Sequence, residues 1–186
     1  KLLSHYQIKK PLISCRAANE AFAAEKVIER LEEGQNGAYM SDAGSPGISD
    51  PGKILVRMVR DAGHKVIPLP GASAASTLLS ICGFPGKRVV FEGFLSPKQG
   101  KRRKALSELL GTGDPFILYE SPYRIVKLMT DLADLSPERN VLLGREMTKS
   151  YEEYLEGSVP KVLLELESRT KVLGEFSVLV SGAKKS

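Results

Sequence analysis

The chain has 186 residues, of which 42% are hydrophobic and 26% charged, with a formal net charge of +5; this excludes a disordered or fibrous protein and allows one large domain or two small ones. Two cysteines (Cys15, Cys82) and two histidines (His5, His64) offer neither a disulfide framework nor metal-ligand spacing, so no metal is expected. No signal peptide is evident, and residues 67–82 are too rich in Gly, Ala, Ser and Pro to span a membrane, so a reducing cytoplasm is the expected location.

In chain order, residues 11–15 read as a short strand. Residues 19–34 read as a helix, with Ala24, Val27, Ile28 and Leu31 on one face and Gly34 closing it. Residues 36–41 form the next expected strand. The run 41–52 follows, with three glycines, two prolines and two aspartates in twelve residues. Asp50 and Pro51 read as an N-cap and first helical position for a helix over 51–62. A strand over 64–69, a turn at Pro70-Gly71 and a small-residue helix over 73–82 complete a strand–helix alternation. That alternation predicts a mostly parallel sheet with helices on both faces.

The stretch 83–86, Gly-Phe-Pro-Gly, is the expected boundary, giving an N-terminal α/β domain over 1–84 and a C-terminal mixed α/β domain over 85–186. Beyond it come a strand over 88–92, a helix over 103–110 and a strand over 116–119. Ser121 and Pro122 open a helix to about residue 132. Strands are expected over 141–146, 151–155 and 175–181, with a helix over 159–167. Strands in closer succession predict a mixed sheet.

The net charge is localised. Residues 86–104 carry seven basic side chains and one acid, Glu92, so the remainder of the chain is about neutral. Such a patch points to a polyanion, nucleic acid first; the bland alternative is a solvated helix face. Phosphate-binding, nucleophile-elbow, zinc and dinucleotide-binding motifs are absent, which weighs against kinase, hydrolase and nicotinamide chemistry. What remains is a set of loops at the ends of predicted strands, the place where open α/β sheets bind ligands.

Ser41–Gly52, Pro68–Ala74, Phe91–Pro97 with Lys101–Arg103, Tyr119–Arg124, Gly144–Lys149 and Gly174-Glu175 occur in the order seen in one family. The chain resembles the bacterial 16S rRNA (cytidine) ribose 2′-O-methyltransferases, the ribosomal small-subunit methyltransferase I group of the tetrapyrrole-methylase-like superfamily. The resemblance implies a two-domain α/β fold, S-adenosylmethionine as cofactor, and methyl transfer to a ribose hydroxyl. It also implies a 16S rRNA or 30S partner and a homodimer. Members open with a strand and a Pro-x-Gly-Asn-type turn, whereas Lys1–Tyr6 resembles the stretch after them, so the family's first strand is expected to be absent.

On the same resemblance, Asp42, Gly44, Ser45, Gly71, Ser73, Ala74, Tyr119, Gly174 and Glu175 would hold the cofactor. A carboxylate such as Asp42 suits its positive groups, and glycines let the backbone approach it. Glu120, Arg145, Glu146 and Lys149 would face the substrate, with Glu120 or Glu146 accepting a proton and Arg145 or Lys149 favouring charge on oxygen. Lys98, Lys101, Arg102, Arg103 and Lys104 would contact RNA phosphates, and Phe91, Phe94 and Tyr123 are candidates to stack on bases. Two rival readings are a tetrapyrrole-type small-molecule methyltransferase and a non-catalytic RNA-binding module.

Overall fold

A computed structural model describes residues 2–183 of the chain. It divides into two units, residues 1–72 and 73–186. The division lies ahead of the expected boundary at 84/85, because helix 74–81 packs on the sheet of the second unit.

The first unit holds a single turn of helix α1 (Leu2–His5) and two longer helices, α2 (Glu20–Glu32) and α3 (Lys53–Asp61). Ala24, Leu55 and Val59 form its small core, with Val27, Ile28, Leu31, Tyr39 and Met58 packed around them. The expected start of α3 needs correction. Gly52 is its N-cap, and the first turn is satisfied from a distance. The buried Glu20 Oε1 accepts from the Gly52, Ile54 and Leu55 N–H groups at 2.8, 2.7 and 3.0 Å. A carboxylate on three free N–H groups of a helix terminus is a strong cap.

The strands expected over 11–15, 36–41 and 64–69 carry no ladder among the described residues. A strand exists only when another backbone pairs with it. Here these segments do not pair, and Leu12, Ile67 and Leu69 stand exposed.

The second unit supplies the α/β architecture. Its elements are α4 (Ala74–Ile81), β1 (Val90–Phe94), α5 (Gln99–Gly111), β2 (Phe116–Glu120) and α6 (Ile125–Leu135), followed by β3 (Asn140–Arg145), β4 (Glu153–Ser158), α7 (Val159–Glu167) and β5 (Phe176–Val180). The sheet order is β1-β2-β5-β3-β4, with β1 and β2 parallel and the other neighbours antiparallel. The mixed sheet expected of the second half is therefore present. α5 begins four residues earlier than expected. α6 begins three residues later, because Ser121–Arg124 form a turn in which the Ser121 carbonyl accepts from Arg124 and Ile125.

Alternation along the strands sorts the core into two layers. Phe116, Leu118, Leu143, Leu155, Phe176 and Val178 face α5, α6 and α7. Ile117, Leu142 and Leu179 face Leu78 of α4. Burying a leucine or phenylalanine of this kind contributes about 1.5–3 kcal/mol, and the layer under the three helices is the larger stabilising mass.

Candidate active site

The register of the sheet brings Glu120, Phe176, Arg145 and Glu153 into one row across β2, β5, β3 and β4. This row lies at the carboxyl ends of β1, β2 and β3, where the loops 95–98, 121–124, 146–152 and 173–175 gather. The expected substrate-side residues thus come to one end of the second unit's sheet.

Glu120 does not present a base. It is 2% exposed, and its Oε1 accepts from the Ser121 N–H at 2.7 Å and pairs with Arg124 Nη2 at 2.7 Å. Oε2 is buried and without a partner among the described residues. Arg124 also donates to the Leu95 carbonyl and the Ser121 hydroxyl, each at 3.4 Å. Through Arg124 the pair ties the loop after β1 to the loop after β2.

Glu146 is placed differently. Its Oε1 accepts from the Glu175 N–H at 2.8 Å and from Lys149 Nζ at 3.0 Å. Its own N–H donates to the Glu175 carbonyl. These contacts, the Glu175 amide first and Lys149 second, hold its carboxyl below the ordinary value. Lys149 also reaches Glu175 Oε2 at 2.9 Å, and that bond leads the causes that raise its pKa. The loop is strained, with φ of +47° at Glu146 and +66° at Thr148, a cost that clusters at functional sites. Gly174 is required here: its φ is +97°, and a Cβ would lie 2.5 Å from Glu146 Cγ. So Glu146, Lys149, Gly174 and Glu175 form one cluster, although the sequence reading split them between substrate and cofactor.

Arg145 donates through Nε to the Leu173 carbonyl at 2.6 Å and pairs with Glu153 at 3.3 Å. Arg169, which sequence reasoning missed, binds the same carboxylate at 2.6 and 2.8 Å. Its hydrogen bonds are the main cause holding the Glu153 carboxyl below the ordinary range. Arg145 is therefore largely committed to holding the 173–175 loop.

The residues expected on the cofactor fall into two groups. In the first unit, the Ser45 hydroxyl donates to the Ala72 carbonyl at 3.4 Å, and the Cα substituent positions of Gly44 and Gly71 open towards Ala72 and Ser45 at 3.8 Å. The loops 41–50 and 70–72 therefore adjoin. Asp42 is exposed, with no hydrogen bond or ion pair among the described residues. In the second unit, Ser73 caps α4 by accepting from the Ser76 N–H, Ala74 opens that helix, and the Ala75 N–H donates to the Tyr119 hydroxyl at 3.0 Å. Within the first unit, the exposed Asp42 carboxylate in a glycine-bearing loop suits a cationic group; within the second, the Tyr119 hydroxyl keeps a proton to donate.

The basic segment also divides. Lys98, Lys101 and Lys104 are exposed on α5 or at its cap. Arg102 corrects the expectation: it is 3% exposed and its Nε lies 2.7 Å from Asp131 Oδ2. It has no surface to offer a phosphate. Arg103 is half-buried and bridges Asp131 and Asp134 at 3.1 and 2.8 Å. No group of His, Cys, Asp and Glu suited to a metal ion occurs among the described residues. None of the described helices is long and apolar enough to cross a membrane.

Polar loops gathered at one end of an α/β sheet are a common place for a ligand, and comparison identifies the family. Residues 2–163 match the family described as Tetrapyrrole (Corrin/Porphyrin) Methylases. Ribosomal RNA small subunit methyltransferase I of Borrelia garinii subsp. bavariensis is 45% identical over 97% of this chain and 81% of its own length. The protein of that name from Neisseria meningitidis serogroup B is 43% identical over 87% of this chain and 56% of its own. The solved methyltransferase CobJ shares the fold, with a TM-score of 0.65 at 21% identity over 88% of this chain and 72% of its own. The chain belongs to the tetrapyrrole methylase family and, within it, to the ribosomal RNA small subunit methyltransferase I group. Its class is that of the S-adenosylmethionine-dependent methyltransferases. It spans between roughly half and four-fifths of the length of these two relatives.

Proposed function

We propose that this chain is the core of an enzyme that methylates the ribose 2′-OH of a cytidine in 16S rRNA. The observation that carries the reading is the 45% identity to an rRNA small subunit methyltransferase I along 97% of the chain. The exposed lysines at the start of α5 support a polyanionic substrate. The working partner is the 16S rRNA or the 30S subunit in the cytoplasm, and the working form is a homodimer.

S-adenosylmethionine supplies an electrophilic methyl carbon on a sulfonium. Asp42, Gly44, Ser45, Gly71, Ser73, Ala74 and Tyr119 are the residues that would hold it. Glu146 receives the hydroxyl: its Oε1 is fixed by Lys149 and the Glu175 amide, which leaves Oε2 to accept. A carboxylate kept ionised is a weak base, yet it suffices once bonding to carbon makes the hydroxyl proton strongly acidic. Lys149 keeps the carboxylate charged and oriented. Glu120 and Arg124 position the loops around it.

The test is incorporation of labelled methyl into small subunits lacking this modification, with the modified nucleotide then mapped. Ribose methylation of a 16S cytidine is expected; methyl transfer to a tetrapyrrole instead would overturn the reading. Calorimetry with S-adenosylhomocysteine checks the site. Asp42→Ala is expected to weaken binding about tenfold or more, the worth of a hydrogen bond to a charged group; unchanged affinity removes Asp42.

A further inference from the structure

β1 is an edge strand with an irregularity that changes what it displays. Phe91 pairs with Ile117 and Gly93 pairs with Leu118, so Glu92 is an extra residue opposite no partner. Gly93, at a φ of +75°, absorbs the kink. In a regular strand, residues three apart point to opposite faces. The bulge cancels that alternation and brings Phe91 and Phe94 to the same face, opposite Ile117 and Tyr119. Both rings stand edge-on to Tyr119, at centroid distances of 5.1 and 5.7 Å.

The result is an aromatic ledge that the fold leaves uncovered. Phe91 is 40% exposed and Phe94 53% exposed. Two half-exposed phenylalanines on an unpaired edge strand stabilise little and invite association, yet a bulge is the device by which a strand re-aims side chains beside a site. Two neighbours indicate what the ledge receives. The exposed Lys98 and Lys101 follow Phe94 in the chain, at the N-cap and in the first turn of α5. At the other side, the Tyr119 hydroxyl is hydrogen-bonded to Ala75 N–H at 3.0 Å, at the start of α4 where Ser73 and Ala74 lie. π-faces beside cations are the chemistry of unpaired nucleotides, whose bases stack while phosphates meet lysine.

We infer that Phe91, Phe94 and Tyr119 form a stacking platform for an unpaired nucleobase of the RNA. The inference rests on the proposed RNA substrate and adds the residues that hold the base. The platform binds by π-face, so it accepts any base and leaves the choice of nucleotide to other contacts.

The experiment uses the 186-residue chain and a short unstructured RNA carrying one 2-aminopurine, whose fluorescence is quenched by stacking. Wild type is expected to bind and to quench. Phe91→Leu with Phe94→Leu, which keeps apolar bulk, is expected to weaken binding about tenfold and to abolish quenching, with an unchanged salt slope. Phe94→Tyr, which keeps a ring, is expected to retain both. If wild type binds RNA but the leucine variant binds and quenches equally, the platform is overturned while the RNA reading stands. If the leucine changes alter only self-association in sedimentation, the ledge is a contact between copies and the platform is likewise overturned. If wild type binds no RNA, both fall.

Discussion

At Glu120 a carboxylate is 2% exposed and held by Arg124, whereas at Glu146 a carboxylate lies on a strained loop with one oxygen fixed and the other unassigned. The same residue type at two strand ends therefore does two jobs. Burial and an ion pair make Glu120 a fastener of loops. The Glu175 amide and Lys149 make Glu146 an oriented acceptor that stays ionised. Exchanging Glu146 for Gln removes the acceptor's charge but keeps its size and its bond to the Glu175 amide. Methyl transfer is expected to fall about a hundredfold, with affinity for S-adenosylhomocysteine retained. A parallel loss of cofactor affinity would instead make the cluster part of the cofactor's site.

At the scale of elements, α5 and α6 are joined by charge as well as by apolar contact. Asp131, 1% exposed, accepts from Arg102, Gln99 and Arg103. Arg102→Met would leave that buried carboxylate with Arg103 and Gln99 but without its shortest charged partner, a loss of about 2 kcal/mol in urea unfolding. Adding Asp131→Leu is expected to recover most of it, since an apolar pair replaces a buried ionic one at little cost. Failure of the double variant to recover would mean that the ion pair itself stabilises the packing. Those contacts mark what the sequence could reveal. Helix 159–167 and strands β2, β3 and β5 were legible because their signals are local, apolar residues spaced between turn residues. The cap on α3 was not legible, because Glu20 lies far away in the chain from the amides it binds. The bulge at Glu92 and the burial of Arg102 were hidden for the same reason. A run of basic residues looks like one solvated face until the packed helix α6 shows which of them turns inward.

Across the whole molecule, ion pairs and surface charge separate two dependences on solution conditions. Burial alone would raise the Asp131 carboxyl, but the hydrogen bonds from Arg102, Gln99 and Arg103 outweigh it and lower its pKa; Glu153 is lowered mainly by Arg169. A carboxyl with a depressed folded pKa contributes stability that is complete above its unfolded value, about 4, and is lost as pH falls through the folded value. The urea midpoint is therefore expected to change little in this respect between pH 7 and 5, then to drop below about pH 4; a midpoint that rises on acidification contradicts the pairing.

Surface charge acts on binding instead. Of the basic residues in the segment 98–104, Arg102 is buried and Arg103 is engaged with Asp131 and Asp134, so the free positive field comes from Lys98, Lys101 and Lys104. The last lies 3.9 Å from Glu108, a weak exposed pair that a phosphate can displace. Each phosphate neutralised by a lysine contributes about 0.7 to the slope of log K against log salt on single-stranded RNA. Replacing the three lysines by Ala is expected to flatten that slope by about 2, while urea stability and cofactor affinity stay unchanged. Arg102→Ala is expected to do the reverse, lowering stability and leaving the slope alone. Should the triple lysine variant keep the full slope, the RNA path lies elsewhere on the molecule and the basic start of α5 is a solvated helix end.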